Sequence, residues 1–180
     1  MSVPNIFAIQ TRSLGAFPGE LTRPTAPFTT EGAAILSTST ALHFGDVVVL
    51  DPANTGKVRA LVTGDSTAAS VYGFVVRTFP TQSASYPNPA IGTAVAVDPN
   101  STITVLREGY IAVNVVAPVA PVKGGAVYVQ NVADTVSGTL IPIGSITTAS
   151  DASKNFQLTG AEFTGGVDAN GNSEIRVRIQ

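Results

Sequence analysis

The stretch TITVLREGYIAVNV, residues 102–115, decides the fold of this chain. Its apolar residues of one parity are Ile103, Val105, Ile111, Val113 and Val115. Alternation of this kind is typical of a half-buried β-strand, because successive side chains point to opposite faces of the sheet. Arg107 and Gly109 interrupt the apolar phase. Since glycine inside a strand pattern often marks a bulge or bend, we expect a kink, bulge or tight turn there.

The rest of the chain repeats this theme of short strands and small turns. GDVVVL at residues 45–50 and VYGFVVRTF at residues 71–79 are apolar runs bounded by turn residues, which predicts strands. DPANTG at residues 51–56 has turn chemistry and predicts a hairpin with residues 57–62. Further short strands are predicted at residues 33–37, 93–97, 124–130 and 141–146, whereas residues 134–140 are turn-rich.

Helical periodicity is hard to find anywhere in the chain. We therefore predict an all-β fold of about eight to twelve short strands, arranged as a β-sandwich or barrel that is jelly-roll-like.

The end of the chain, EIRVRIQ at residues 174–180, alternates cleanly, with Arg176 and Arg178 on the outer face. It follows Asn170–Gly171, a strong hairpin signal, and we expect this hairpin to begin at Glu162. A terminal strand with a charged outer face fits a sheet edge or an interface, where it could extend the sheet of a neighbour. Arg176 and Arg178 are therefore predicted interface residues.

Residues 1–31 are predicted to form an extended N-terminal arm, and residues 32–180 a single β-domain. Prolines at positions 4, 18, 24 and 27 favour extended backbone in the arm. The arm also carries more large apolar residues than a disordered tail usually does. It should lie on a surface, and two alternatives stay open: a neighbour's surface, or its own as a self-packed loop. The predicted interface residues of the arm are Leu14, Phe17, Leu21 and Phe28.

Charged residues make up only 12% of the 180 residues, about half the usual share. A surface this poor in charge favours an oligomer, a trimer or a dimer, or a larger assembly. The alternative is a monomer whose surface is covered by Thr, Ser and Asn.

The overall charge and composition argue against several classes of partner. The net charge is −2 and basic residues form no run, so the electrostatic footprint of a nucleic-acid-binding protein is missing. Without cysteines there are no disulfides or thiolate metal sites. No signal peptide and no apolar run long enough to span a membrane are visible, which predicts a protein made in the cytoplasm with no membrane partner.

The residues with chemical potential favour structural roles. His43 is the single histidine and no Gly-x-Ser-x-Gly elbow accompanies it, so a packed or surface histidine is favoured over a catalytic triad. Asp168, Asn170 and Asn172 have the spacing of a calcium loop, but Ile179 stands where the closing Glu is needed. The hairpin interpretation is therefore preferred. We predict no catalytic, cofactor or metal site, and no enzyme.

Six stretches of the chain together carry a family resemblance: GAFPGELTRP (15–24), GDVVVLD (45–51), STAASVYGFVVRTFPTQ (66–82), LREGYIAVNV (106–115), KGGAVYVQN (123–131) and DANGNSEIRVRI (168–179). Their order resembles the structural cement, or capsid decoration, proteins of tailed bacteriophages. The resemblance implies a small, non-enzymatic β-protein that binds the outside of a phage head, bridges neighbouring major capsid proteins and stabilises the shell. The alternative is a β-barrel carbohydrate-binding module or another virion or receptor-binding protein.

Overall fold

The computed structural model of the protein describes residues 17–36, 38–65, 70–77, 96–97, 101–116, 119–136 and 138–179. These residues form β-strands and no α-helix, which confirms the predicted all-β class. The strands are β1 (Thr29–Ile35), β2 (Leu42–His43), β3 (Val47–Leu50), β4 (Lys57–Ala60), β5 (Val71–Val75), β6 (Ala96–Val97), β7 (Thr102–Asn114), β8 (Ala126–Gln130), β9 (Asp134–Val136), β10 (Thr139–Ile141), β11 (Ile146–Thr147), β12 (Asn155–Phe163) and β13 (Asn172–Arg178).

Five strands close into a first barrel in the order β1-β4-β3-β5-β7, and β7 pairs back with β1. The β1–β4 pairing is parallel and the others are antiparallel. Alternate residues of these strands point into the barrel. Val48 of β3, for example, is fully buried inside the barrel, whereas the residues on either side of it point out of the barrel. The interior cluster consists of Ala33, Ile35, Leu42, Val48, Val58, Val75, Ile103 and Val105.

A second ring continues from β7 through β13, β12 and β8 to β11. A parallel bridge between Val115 and Ile146 brings β11 back to the end of β7, and the Val116 amide donates to the Ile146 carbonyl at 2.9 Å. The larger apolar cluster fills this ring and continues onto the outer face of β3 and β5. Its fully buried members from the second ring include Ile111, Val113, Val127, Val129, Leu158, Phe163, Ile175 and Val177.

The interruption predicted in residues 102–115 is a β-bulge. The β1–β7 register steps from Thr29 opposite Glu108 to Thr30 opposite Leu106, which leaves Arg107 as the extra residue. The bulge exchanges the two faces of β7, so that residues of one parity point into the first barrel before the bulge and into the larger apolar cluster after it. Val105 therefore packs in the first barrel, whereas Ile111 packs in the second cluster although the two share one parity in the sequence.

The last strand is not at a sheet edge, so that expectation is wrong. β13 lies between β7 and β12, and its pairing with β7 runs along its whole length from Asn172 to Arg178. Because β13 lies inside the second ring, it has a partner strand on each side. It therefore has no free backbone edge to offer to a neighbour's sheet.

Two other local expectations need correction. β12 begins at Asn155, well before Glu162, and residues 134–141 form the β9–β10 hairpin instead of a turn. The β12 pattern was hidden because Gly160, with φ of 84°, interrupts the alternation and the β12–β8 register shifts between Gln157 and Glu162.

The last hairpin is present, but its turn is centred one residue earlier than predicted. The Gly171 amide donates to the Asp168 carbonyl, so Ala169 and Asn170 are the central residues. Residues 1–16 of the predicted arm and residues 93–95 of the strand predicted at residues 93–97 lie outside the described residues.

Gly73 of β5 offers a test of how tightly β5 packs on β7. A Cβ atom at Gly73 would lie 2.4 Å from the Leu106 carbonyl oxygen and 2.5 Å from Val105 Cγ1. We expect Gly73→Ala to lower the free energy of unfolding by about 3 kcal/mol through overpacking. Gly32→Ala in β1, where the nearest atom is 4.0 Å away, should change it by less than about 1 kcal/mol. Urea denaturation of both variants tests this, and equal stability would contradict the packing described.

Candidate interaction surface

The described part of the N-terminal segment, residues 17–28, packs on the protein's own barrels. The Gly19 amide donates to the Ala112 carbonyl at 2.8 Å, and the Ala112 amide donates to the Glu20 carbonyl at 3.0 Å. Leu21 forms an antiparallel bridge with Ile111 and packs against the larger core cluster. The segment therefore acts as a further strand beside the second half of β7. For these residues the structure agrees with the alternative in which the arm packs on the protein's own surface.

A cluster of polar side chains holds the end of this segment on β13. Arg23 Nη2 lies 2.6 Å from Glu174 Oε1, and the guanidinium stacks on the Tyr110 ring with its carbon 4.1 Å from the ring centre. The Thr22 hydroxyl donates to Glu174 Oε2, and the Thr164 hydroxyl donates to Oε1 at 2.5 Å. We call these five residues the clamp.

The clamp changes the acidity of its carboxylate. Burial alone would raise the pKa of Glu174, but hydrogen bonds from Arg23, Thr164 and Thr22 and the charge of Arg23 outweigh it. The net effect lowers the pKa from the ordinary 4.5 to about 2. Glu174 is therefore a carboxylate that the folded protein keeps ionised, in a place where it ties three parts of the chain together.

Beyond the clamp, the outer face of β13 carries two cross-strand ion pairs, which we call the charged ladder. Arg176 Nη1 lies 3.3 Å from Glu162 Oε1 of β12, and Arg178 Nε lies 3.7 Å from Glu108 Oε1 of β7. The Arg176 and Arg178 side chains are 53% and 64% exposed. Exposed pairs of this kind contribute little to stability, so their side chains are free to exchange partners at little cost.

Phe28 lies immediately before β1 and close to β7. It is 46% exposed, and it directly precedes Thr29, which pairs with Glu108. Its Cβ atom is so close to β7 that a Cβ on Gly109 would come within 2.8 Å of it. Exposed aromatic and arginine side chains are among those that protein interfaces favour.

Three of the six predicted interface residues have well-exposed side chains in the structure: Phe28, Arg176 and Arg178. Phe17 lies elsewhere, with the Arg77 guanidinium 5.2 Å from its ring, and Leu21 packs against the core. Leu14 lies outside the described residues. Their roles as contacts stay predictions. Glu108 and Glu162 were missed at the sequence level because no local pattern shows which acid lies opposite each arginine.

The residues considered for chemistry have local structural roles. Asp46 accepts a hydrogen bond from the His43 amide at 2.7 Å, and its carboxylate lies 3.3 Å from His43 Nδ1 across the same turn. Burial, the largest influence, raises the pKa of Asp46 despite these contacts. Asp168 Oδ1 accepts from the amides of Asn170 and Asn172, each at 2.8 Å, as the hairpin interpretation predicts.

Within the described ranges, no cluster of His, Cys, Asp or Glu side chains could hold a metal ion. In the same part of the chain, no helix is long and apolar enough to cross a membrane.

The clamp predicts a defined acid sensitivity. Because the folded pKa of Glu174 lies below its unfolded value, its stabilisation is complete above pH 4.5 and is lost as the pH falls towards 2. We expect Glu174→Gln to lose at most about 3 kcal/mol of stability at pH 7 and to lose less than the wild type between pH 5 and 2. Urea denaturation at several pH values measures this. Glu162→Gln, which removes only the exposed pair with Arg176, is the control and should keep the wild-type slope.

Comparison with known proteins shows to which family this fold belongs. A family model described as structural cement protein, with gp24 of phage E217 and gp6 of phage Pam3 as its examples, matches residues 9–178. No curated protein sequence matches the chain. A chain from the solved capsid of Myoviridae phage XM1 shares the fold with a TM-score of 0.64, at 20% identity, over 99% of this chain and 98% of that chain. Because the family match spans nearly the whole chain, the protein belongs to the phage structural cement family and is a component of the virion.

Proposed function

We propose that this protein is a non-enzymatic cement protein that binds the outer surface of the phage head, bridges neighbouring major capsid proteins and stabilises the shell. Membership of the structural cement family carries this proposal. The fold is consistent with such a role, because two closed barrels that share β7 form a stiff body. A stiff body transmits load between the subunits that it bridges.

The surface formed by Phe28 and the charged ladder is the proposed contact with the capsid. Phe28 supplies exposed apolar area, and Arg176 and Arg178 supply guanidinium groups that suit carboxylates or aromatic rings on a partner. Their present partners, Glu162 and Glu108, are themselves about half exposed. Giving up an exposed internal pair for a pair with a partner sacrifices little of the protein's own stability, so this face is suited to reversible docking.

Self-association into a trimer or a dimer is part of the proposal. The low share of charged residues supports it, because a surface with few charges is less costly to cover. Each copy of an oligomer would bring one contact face to the shell. Several modest contacts that act together bind far more tightly than one.

The proposed contact face is tested by binding to empty shells of the phage's own major capsid protein. We expect Arg176→Gln/Arg178→Gln and, separately, Phe28→Ser to weaken binding in a co-sedimentation assay by at least about tenfold, since central interface residues typically contribute more than 1 kcal/mol each. The expected loss is specific to the shell, so circular dichroism and thermal melting of the variants should stay close to those of the wild type.

The matched control is Lys57→Gln/Lys123→Gln, which also removes two positive charges, but from exposed positions that take no part in the charged ladder. It should bind shells as the wild type does. Equal weakening of both double variants would show that net charge alone matters and would contradict the proposed face. Unchanged binding of the arginine and Phe28 variants would place the contact elsewhere, while failure of the wild type to bind shells would contradict the proposed function itself.

A further inference from the structure

An open groove of about 550 Å³ lies between the two barrels. One wall comes from the β2–β3 turn and the residues that follow β4, and the other from the end of β7 and the β10–β11 turn. Its lining is mainly apolar, with Phe44, Leu61, Val116 and Ile143 among the contributing side chains. Asp46 is the single carboxylate among the described residues that line it. An apolar groove with one acidic group fits an apolar segment that carries one positive charge.

The N-terminal segment enters the described structure against the β2–β3 turn, which forms one wall of this groove. The Arg77 guanidinium lies 5.2 Å from the rings of both Phe17 and Phe44, so these two aromatic residues share one cation. A Cβ on Gly19 would come within 2.7 Å of Phe44 Cβ, which shows how closely the segment approaches the groove wall. The backbone there is fixed by the Arg77 amide, which donates to the Gly19 carbonyl at 2.8 Å.

The sixteen residues before Phe17 have the composition that the groove requires. Their large apolar members include Ile6, Phe7 and Ile9, and Arg12 is their single charged side chain. An extended chain covers roughly 3.4 Å per residue, so Arg12 can reach about 17 Å and Phe7 about 35 Å from Phe17. Asp46 follows two residues after Phe44, within the reach of Arg12. Ile6 to Ile9 can then reach the deeper lining.

We propose that the groove binds residues 6–12 of the chain's own N-terminal segment. Ile6, Phe7 and Ile9 pack along the apolar wall, and Arg12 pairs with Asp46. The tether at Phe17 gives the segment a millimolar effective concentration at the groove, so that modest contacts are enough to hold it there. The groove is thereby filled by the same chain that forms its walls. This inference is independent of the proposed capsid contact, which uses a different face.

Disulfide trapping tests the proposal, because the chain has no cysteine of its own. In the full-length protein we expect Phe7→Cys/Ile143→Cys to form an intramolecular disulfide at least about tenfold faster than Phe7→Cys/Val122→Cys. Val122 is exposed and is not part of the groove lining. Thr63→Cys, at an exposed position of the groove, replaces Ile143→Cys if that variant fails to fold. Mass spectrometry of a mixture of labelled and unlabelled protein separates bonds within one copy from bonds between copies.

Equal trapping rates for the groove pair and the control pair would overturn the proposal, whatever else occupies the groove. Disulfides formed only between copies would overturn it too, since they would place the segment in a neighbour's groove. The charge pairing has its own test in the same assay. Arg12→Glu should slow trapping several-fold while Arg12→Lys leaves it unchanged, and equal rates for the two would refute the Arg12–Asp46 pair.

Discussion

The bulge at Arg107 is the constraint on which the rest of the structure depends. A strand presents alternate residues to its two faces. In a regular strand, apolar residues of one parity would therefore all point to the same face and could not enter two cores on opposite faces. One extra residue changes the phase, and β7 then contributes Val105 to the first barrel and Ile111 to the second cluster. The Arg107 guanidinium stacks on the Tyr72 ring at 4.3 Å and donates to the Tyr72 carbonyl, which fixes the bulge against β5.

Closing both rings determines how this protein can contact others. An edge strand has unpaired backbone N–H and C=O groups with which another extended chain can form hydrogen bonds. Closure of a ring pairs these groups within the protein. β13, which the sequence placed at an edge, has partners on both sides. Contacts made by the barrels therefore depend on side chains that project from them, such as Phe28, Arg176 and Arg178. Side-chain contacts depend on a matching partner surface, so closure makes pairing with arbitrary extended chains less favourable.

Much of the fold could be predicted from the sequence, because its strands carry their own signals. The valines of β3, the alternation of β7 and the outward arginines of β13 each follow from local patterns. The first residues of β12 were missed because Gln157 and Gly160 break the alternation. Pairing between distant strands has no local signal. The Glu174 clamp, whose partners Thr22 and Arg23 lie about 150 positions away, was therefore beyond a sequence argument.

The positions of the charged side chains explain how the protein uses its low charge content. Among the described residues, five basic side chains form ion pairs within the protein: Arg23, Arg59, Lys154, Arg176 and Arg178. Arg77 and Arg107 lie over aromatic rings. Most of the positive charge is thus engaged in joining the protein's own strands and segments, and much of the remaining surface is neutral. Covering a neutral surface requires little removal of water from charged groups, so a large contact area can be buried without opposing desolvation. The distribution is consistent with the proposed function, because the few charges stabilise the protein's own fold and the neutral surface favours assembly.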